Sequence, residues 1–494
     1  MRILLIVIGV LVFRLAYSQE RLLWNTYFVE DSTESDGWKS FDRHTSIYPQ
    51  IAKRRTDMKK DTVDYTHTNL FSIFPVADLV GGITENRLDL RTGVGVGIEY
   101  APVKGLYMQL GYAGGLANRD AIIYSGGAYP TAFFRFQNQG FTTYQYHDLR
   151  GRISYSPNKF FNFQVGLDNN KFGEGDRSLL LDGYGTPYPF VSLRLRVWRA
   201  EYVILHQLLR ERDLAGGFFR KHAATHYLSL NLFKGFNFSF FESVIYSGKA
   251  GSQSRPFEWE YLNPFILYRP VEYGLGSSDK VQIGIQLSQK IYPSLQVYGQ
   301  LMIDDFLLKE IMAANGWWAN KFAAQLGVKG RNVFGIKGLR YLTEVNFARP
   351  YTYTHGTTGQ SFTHQGTVLA HPYGANFAEW NTRLRYVGER WDFNVDVVYA
   401  LRGSDFSDSI SWGGDIIQSY NNRPGEYGFY IGNGDKYNWT KVQLTTGYMV
   451  VPKWRMRAFV TVEYLGKSHG GKLRSYLGGF LGLRTELWND PRNY

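Results

Sequence analysis

Apolar and polar residues alternate with a period of two along many short stretches of the chain. The clearest stretches are residues 191–197, 281–287, 380–386, 391–397 and 454–463. In each of them, one set of alternate positions is apolar except for Thr382, and the other set carries mostly Arg, Asp, Asn, Gln, Glu or other polar residues. Because successive side chains of a β-strand point to opposite faces, this period predicts strands with one apolar face and one polar face.

The connections between these strands are of two kinds. Short turns lie near residues 101–105, 156–159, 199–200, 234–235, 292–294, 388–390 and 451–453, and long connections near 169–189, 211–224, 248–262, 304–319, 350–377 and 403–436. This pattern is typical of an all-β, transmembrane, antiparallel up-and-down β-barrel, here of about 18 strands (roughly 16–20), with long extracellular loops. A soluble propeller or sandwich would alternate as well. It would not explain the aromatic residues at strand ends, which resemble interfacial girdles: Tyr155, Phe160, Trp198, Tyr202, Trp391 and Trp454.

The chain divides into three parts. Residues 1–18 combine Arg2, an apolar run and the small-residue ending Ala16-Tyr17-Ser18, which predicts a secretory signal peptide; a retained anchor helix is the alternative. Residues 19–69 are charge-dense and lack sustained alternation, so we expect a short N-terminal periplasmic extension that folds under the barrel. Residues 70–494 then form the barrel, and the expected location is the bacterial outer membrane.

Composition supports this class of protein. The 494 residues include 53 Gly, 36 Tyr, 34 Phe and 12 Trp but no Cys, and 20% are charged. The absence of Cys excludes disulfides, Cys-ligated metals and a lipoprotein anchor. Excess Gly and aromatic residues favour an aromatic-rich β structure over a helical enzyme, and a lipid-facing surface explains the low charged fraction. The formal net charge of +12 suits an acidic partner.

The polar strand faces predict a charged lumen. Opposite charges on neighbouring strands can pair there and seal the barrel, which we favour, or an arginine excess can leave a water-filled path for anions. The residues expected to line the lumen are Arg150, Arg152, Arg194, Arg196, Arg383, Arg385, Arg455, Arg457, Asp392, Asp396 and Glu463.

The long loops carry aromatic residues among polar ones. Such rings can stack on sugar faces or contact a protein partner, while the alternative is that they pack the loops together. The candidates for glycan or partner binding are Trp259, Tyr261, Trp317, Trp318, Tyr351, Tyr353, Tyr373 and Trp412.

Motifs for catalysis are weak. His222 and His226 are four residues apart but lack the glutamate of a metal-binding HExxH helix. Asp304, Asp305 and Glu310 are close in sequence, but glycoside hydrolysis requires two carboxylates at a defined separation across a cleft. We therefore predict no catalytic residues, no cofactor, no metal site and no nucleic-acid partner.

Several strings, in order along the chain, resemble those of the Wzi-like capsule-assembly barrels and, more closely, of their RemB-like gliding-motility relatives in Bacteroidetes. They are HTSI at 44–47, RSLLL at 177–181, YPF at 188–190, YLNPF at 261–265, GSSD at 276–279, DDFLLKE at 304–310, RPYTY at 349–353 and AHPYGAN at 370–376.

This resemblance implies a large, non-enzymatic outer-membrane barrel. Its expected role is attachment of surface polysaccharide (capsule) or an envelope function associated with gliding motility. Expected partners are outer-membrane lipid, surface polysaccharide, and gliding or type IX secretion proteins. A passive anion-preferring diffusion channel and a structural subunit of a larger envelope complex remain the alternatives.

Overall fold

A computed structural model describes most of the chain from residue 70 to residue 485 and three short pieces before it. The described residues are 20–22, 44–49, 51–53, 70–84, 87–103, 105–118, 132–138, 141–212, 218–247, 249–250, 253–254, 258–265, 279–292, 294–454 and 456–485.

Eighteen antiparallel strands form a closed ring, as the alternation predicts. Numbered along the chain, they are β4 (Leu70–Thr84), β5 (Arg87–Ala101), β6 (Leu106–Ala117), β8 (Phe141–Tyr155), β9 (Phe161–Asp168), β11 (Tyr188–Val197), β12 (Ala200–Arg212), β13 (Phe218–Phe233), β14 (Phe236–Ser247), β17 (Lys280–Tyr292), β18 (Leu295–Asp305), β19 (Lys321–Arg331), β20 (Leu339–Ala348), β23 (Phe377–Val387), β24 (Trp391–Ser404), β25 (Asp435–Val451), β26 (Met456–His469) and β27 (Lys472–Thr485).

Among the described residues, nine shorter strands lie outside the ring. They are β1 (Glu20–Leu22), β2 (Ile47–Tyr48), β3 (Ile51–Lys53), β7 (Ala132–Asn138), β10 (Lys171–Phe172), β15 (Lys249–Ala250), β16 (Gln253–Ser254), β21 (Thr363–His364) and β22 (Thr367–Val368). Strand β7 pairs with β8 beside the ring, and β2 pairs with β10.

Helical structure is limited to short turns. The described residues contain one α-helix, α1 (Leu308–Met312), and 3-10 turns at Trp259–Leu262, Val333–Gly335, Thr358–Gln360, Tyr420–Asn422 and Pro452–Trp454. No helix in this part of the chain is long and apolar enough to cross a membrane.

The ring closes where β27 pairs with β4, from Gly478 opposite Thr84 to Arg484 opposite Asp78. Closure leaves no unpaired sheet edge in the ring. Asp78 lies between two cations at this seam: Arg484 Nε donates to its carboxylate at 3.0 Å, and Arg91 Nη2 contacts it at 2.5 Å. All three side chains are buried, so the seam is fixed by an ion cluster as well as by the backbone ladder.

The two ends of the barrel differ. At the turn end, consecutive strands are joined by short connections, such as the two residues between β11 and β12 or between β13 and β14. The first ring strand, β4, begins at the turn end, and the last one, β27, ends there. At the loop end, most connections are longer, and the longest are residues 118–140, 248–279, 349–376 and 405–434. Only β4–β5 and β26–β27 are joined there by two residues. The long loops therefore all fall on one end of the barrel, as the sequence pattern predicts.

The outward face of the ring is apolar and exposed, as on β24, where Trp391, Phe393 and Tyr399 point away from the lumen. The intervening Asp392 and Asp396 are buried inside. The period of two in the sequence thus corresponds to the two sides of the barrel wall.

The lumen is filled by two segments, which we name the plug loop (residues 169–187) and the N-terminal strand (residues 44–49). Phe172 of the plug loop stacks on Tyr227 of the wall with ring centroids 4.5 Å apart. Leu179, Leu180 and Leu181 are fully buried in the same hydrophobic cluster. Residues 44–49 of the expected periplasmic extension therefore lie inside the barrel instead of beneath it, while residues 1–18 lie outside the described residues.

Candidate functional site

The plug loop is held by the wall through a carboxylate and two backbone amides. Glu344 of β20 accepts hydrogen bonds from the backbone N–H groups of Asp176 and Arg177, each at 3.1 Å. The hydroxyl of Tyr298 donates to the same carboxylate at 2.8 Å. A Cβ atom on Gly175 would lie 2.6 Å from Glu344 Oε2, so only glycine lets the loop approach the wall this closely.

The side chain of Asp176 in the plug loop is also bound by the wall. Arg383 Nη1 donates to Asp176 Oδ1 at 2.7 Å, and Asn381 Nδ2 donates to Oδ2 at 2.8 Å. Burial acts to raise the pKa of Asp176, but the positive charges of Arg383, Arg177 and Lys171 outweigh it and hold the pKa below its ordinary value. The carboxylate is thus ionised when the plug loop is seated.

The N-terminal strand is joined to the plug loop and to the wall. Thr45 Oγ1 donates to Glu174 at 2.5 Å, and Lys329 of β19 donates to the same carboxylate at 2.7 Å. Burial acts to raise the pKa of Glu174, but the charge of Lys329 outweighs it, so the pKa lies below its ordinary value. Tyr227 of the wall donates to Ser46 Oγ at 2.9 Å. The Glu174 carboxylate of the plug loop therefore binds both the N-terminal strand and the wall.

A third segment, residues 349–376, folds over the plug loop at the loop end; we name it the dome loop. Tyr353 donates from its hydroxyl to the carbonyl of Leu179 at 2.8 Å, and the backbone N–H of Asp182 donates to the carbonyl of Leu369 at 2.8 Å. The dome loop is itself fixed to the wall, because Asp304 accepts from the Tyr353 amide and from Lys280 Nζ at 2.9 and 2.6 Å.

The residues predicted to line the lumen do point inward where the structure describes them. Arg150 pairs with Asp148 at 2.9 Å, Arg152 with Asp168 at 3.2 Å, and Arg196 with Glu201 at 3.2 Å. Each of these cations is therefore matched by a carboxylate on the same or a neighbouring strand.

The remaining predicted lumen residues follow the same pattern. Arg194 is 4.0 Å from Glu201, Arg383 contacts Asp396 as well as Asp176, Arg457 pairs with Asp392, and Lys441 pairs with Glu463 at 3.3 Å. Arg385 is buried, and Arg455 lies outside the described residues. A wall paired in this way presents little free positive charge to the lumen.

An open cleft of about 400 Å³ lies at the loop end, between the dome loop and residues 404–418. Its lining is polar and includes Arg402, Asp408 and Asp415, together with the rings of Tyr373 and Phe406. Phe406 is 67% exposed. The guanidinium of Arg402 lies 6.0 Å from the centre of the Tyr373 ring.

Asp405 holds the backbone of residues 412–415 in place beside the cleft. Its carboxylate accepts hydrogen bonds from the amides of Trp412 and Asp415 at 2.5 and 3.1 Å. Burial raises the pKa of Asp405 above its ordinary value. The ring of Trp412 packs edge-on against Phe406, which orients the exposed ring at the rim.

The loop aromatic residues predicted to bind a glycan or a partner do not form one site. Tyr261, Tyr351 and Tyr353 are fully buried, which corrects the expectation that they are available for stacking on a sugar. Tyr351 donates to the carbonyl of Ser411, so these rings hold the loops together.

The other predicted rings are at least partly accessible, but in separate places. Trp317 and Trp318 are half-buried beside Arg423, whose guanidinium lies 4.1 Å from the Trp318 ring centre. Trp259 is exposed on the outer wall. Tyr373 lines the cleft and Trp412 supports it.

No protein-family model matches the sequence, and no curated protein matches it. Among solved structures, the chain is similar to Wzi, an outer-membrane protein involved in group 1 capsule assembly in Escherichia coli and described as a carbohydrate-binding β-barrel. The identity is 12%, the alignment covers 82% of this chain and 83% of Wzi, and the TM-score is 0.53.

The outer-membrane protein OprD of Pseudomonas aeruginosa aligns at 9% identity over 84% of this chain and 94% of its own, with a TM-score of 0.43. OccAB2 of Acinetobacter baumannii aligns at 9% identity over 83% of this chain and 97% of its own, also with a TM-score of 0.43. At such identities, it is the barrel fold that this chain shares with Wzi.

Proposed function

We propose that the chain is a non-enzymatic outer-membrane barrel that binds surface polysaccharide at the loop-end cleft. The observation that carries this proposal is the combination of a filled lumen with an open, polar, ring-edged cleft at one end of the barrel. A filled lumen favours a role at the surface over passage through the wall.

The orientation follows from the two ends of the barrel. Bacterial outer-membrane barrels have short periplasmic turns and longer extracellular loops. The turn end of this barrel therefore faces the periplasm, and the cleft faces the outside of the cell. The outward apolar face then meets membrane lipid.

The chemistry of the cleft suits sugars. Rings such as Tyr373 and Phe406 can lie against the apolar face of a sugar, while Arg402, Asp408 and Asp415 exchange hydrogen bonds with hydroxyl groups. The cleft is open to solvent, which suits a polymer that runs through it.

The resemblance to Wzi-like and RemB-like proteins supports two biological settings for this binding. One is the attachment of capsule to the cell surface, and the other is an envelope function in gliding, with gliding or type IX secretion proteins as partners. The cleft provides the ligand contact in both settings. A structural role in a larger envelope complex is the alternative and would not require the cleft.

Binding to surface polysaccharide extracted from the source cells tests the proposal. We expect Tyr373→Ala and Phe406→Ala to weaken binding by roughly fivefold each, since a stacked ring contributes on the order of 1 kcal/mol. Phe334→Ala is the matched control, because Phe334 is 89% exposed at the turn end. Unchanged binding in both cleft variants would refute the proposed site, and steady single-channel currents through the wild-type protein in planar bilayers would favour a diffusion channel.

A further inference from the structure

Two arginines lie directly opposite each other on the outer wall, near the loop end. Arg210 of β12 is the register partner of Arg220 of β13. Both side chains are exposed and point outward, because their neighbours Leu209, Glu211 and Lys221 point inward and are buried. Like charges in directly opposed positions of a sheet are destabilising.

Neither guanidinium group forms an ion pair with any residue that the structure describes. The backbone of Arg210 is held by the dome loop, since its N–H donates to His364 Nδ1 at 3.0 Å and its carbonyl accepts from the Gln365 amide at 2.8 Å. The position of Arg210 is therefore fixed, while its charge faces away from the barrel.

The height of this pair on the wall can be estimated from strand geometry. Trp198, which is strongly exposed, lies in the turn at the other end of β12, twelve positions before Arg210. A tilted strand rises roughly 2.5 Å per residue along the barrel axis, which places Arg210 about 30 Å above Trp198. The apolar band of such barrels is about 25 Å tall, so both arginines lie at the outer headgroup level.

Below the pair, the outer wall is covered by residues 258–265, which we name the strap. Tyr261 of the strap is buried against Tyr246 of β14, with ring centroids 4.8 Å apart, and the carbonyl of Pro264 accepts from Tyr202 at 2.9 Å. Tyr246 in turn stacks on His222, two positions along β13 from Arg220. A row of packed rings therefore connects the strap to the strand position next to the arginine pair.

The strap has two different faces. On its inner face, the backbone of Asn263 contacts His226. His226 points outward from β13, lies directly opposite Glu242 of β14, and both are fully buried. The outer face of the strap presents Trp259, which is 72% exposed, and Phe265, which is 74% exposed. Below the two cations there is therefore an apolar surface within the apolar band of the barrel wall.

We propose that this part of the outer wall is a binding site for a phosphorylated lipid of the outer leaflet. Arginine forms paired, planar hydrogen bonds with phosphate, and one phosphate between Arg210 and Arg220 would remove the repulsion between them. Trp259 and Phe265 would contact the acyl chains beneath. The inference uses the membrane orientation proposed above but does not depend on polysaccharide binding at the cleft.

Native mass spectrometry of the full-length protein in detergent tests this site, with hexaacylated, bisphosphorylated lipid A as the probe. We expect one lipid A molecule to remain bound to the wild type. In the double variant Arg210→Gln/Arg220→Gln, retention should fall by at least about tenfold, because each arginine attracts an anionic headgroup. The matched control is Arg199→Gln/Lys234→Gln, which removes the same charge at the periplasmic turns and should retain the lipid.

Two further measurements distinguish lipid phosphate from free phosphate and test the apolar part of the site. Inorganic phosphate at millimolar concentration should not displace lipid A, and Trp259→Ser/Phe265→Ser should weaken retention without changing the charge. Heat-modifiable mobility on gels shows that each variant is folded. Equal lipid retention in wild type and the folded Arg210/Arg220 variant would overturn the proposal, as would complete displacement by inorganic phosphate.

Discussion

Arg383 of the wall strand β23 donates a hydrogen bond to Asp176 of the plug loop at 2.7 Å, although the two residues are 207 positions apart in sequence. The pair is buried, and Arg383 also contacts Asp396 on the neighbouring strand β24. A loop that enters the lumen is thus tied to a cation that the wall already holds in place. This tie fixes the position of the plug loop in the lumen.

We expect Asp176→Ala to loosen the plug loop. The substitution leaves Arg383 and the amide of Asn381 without one of their partners in a buried site, which costs about 3–5 kcal/mol when a buried pair is broken. Planar-bilayer recordings should then show steady currents that the wild type lacks. Asp408→Ala, an exposed carboxylate in the cleft, is the control. Silent recordings from a folded Asp176→Ala protein would contradict the idea that this pair maintains the seal.

The same carboxylates predict a response to acid. Asp176 and Glu174 have lowered pKa values in the folded protein, so their stabilising effect is complete above the ordinary carboxyl pKa of about 4. This effect is lost as the pH falls through the lowered pKa values. We expect the plug loop to stay seated at pH 7 and pH 5 and to loosen below about pH 4.

Conductance and tryptophan fluorescence measured against pH would follow this change. In Asp176→Asn the acid transition should be weaker, since one of the two titrating groups is gone. A transition centred near pH 6 in the wild type would show that other groups control the plug.

Gly175→Ala tests the close approach of the plug loop to the wall. The new Cβ atom would lie 2.6 Å from Glu344 Oε2 and 2.7 Å from the carbonyl of Arg177, so the loop has to move. Overpacking of this kind costs about 1–3 kcal/mol. Gly183→Ala is the matched control in the same loop, because its Cβ would have no atom closer than 3.9 Å. Equal thermal stability of the two variants would disprove the steric argument.

The seam between β27 and β4 should be sensitive to Asp78. Asp78→Asn removes the charge that lies between Arg91 and Arg484, and the two buried cations then repel each other. We expect the heat-modification temperature on gels to fall, with a loss of about 3–5 kcal/mol in stability. Asp435→Asn is the control, since its pair with His469 is exposed and contributes little.

The alternation in the sequence predicted the barrel because it records which side of the wall each residue faces. Lipid-facing and lumen-facing positions alternate strictly on strands such as β24. This alternation is visible within one strand and does not depend on contacts with residues far away in the sequence. The strand number follows from the same pattern and from the positions of the turns.

The plug could not be predicted in the same way. Glu344 meets the amides of Asp176 and Arg177 only after the wall has closed, and no local pattern carries that contact. The apolar run Leu179–Leu181 within a long polar loop was the one available signal, because such a run requires a core. Tyr351 and Tyr353 look like surface rings in the sequence for the same reason: their burial depends on how separate loops fold against each other.

The N-terminal strand and the plug loop reach the middle of the lumen from opposite ends of the barrel, where β2 and β10 pair. Pro49 lies near the turn end, where its carbonyl accepts from Arg194 at 3.0 Å, whereas residues 168 and 188 both belong to wall strands at the loop end. The two segments therefore fill the lumen from opposite ends of the barrel. Displacing one of the two segments would therefore leave the other in the lumen, and we expect the barrel to open fully only when both are displaced.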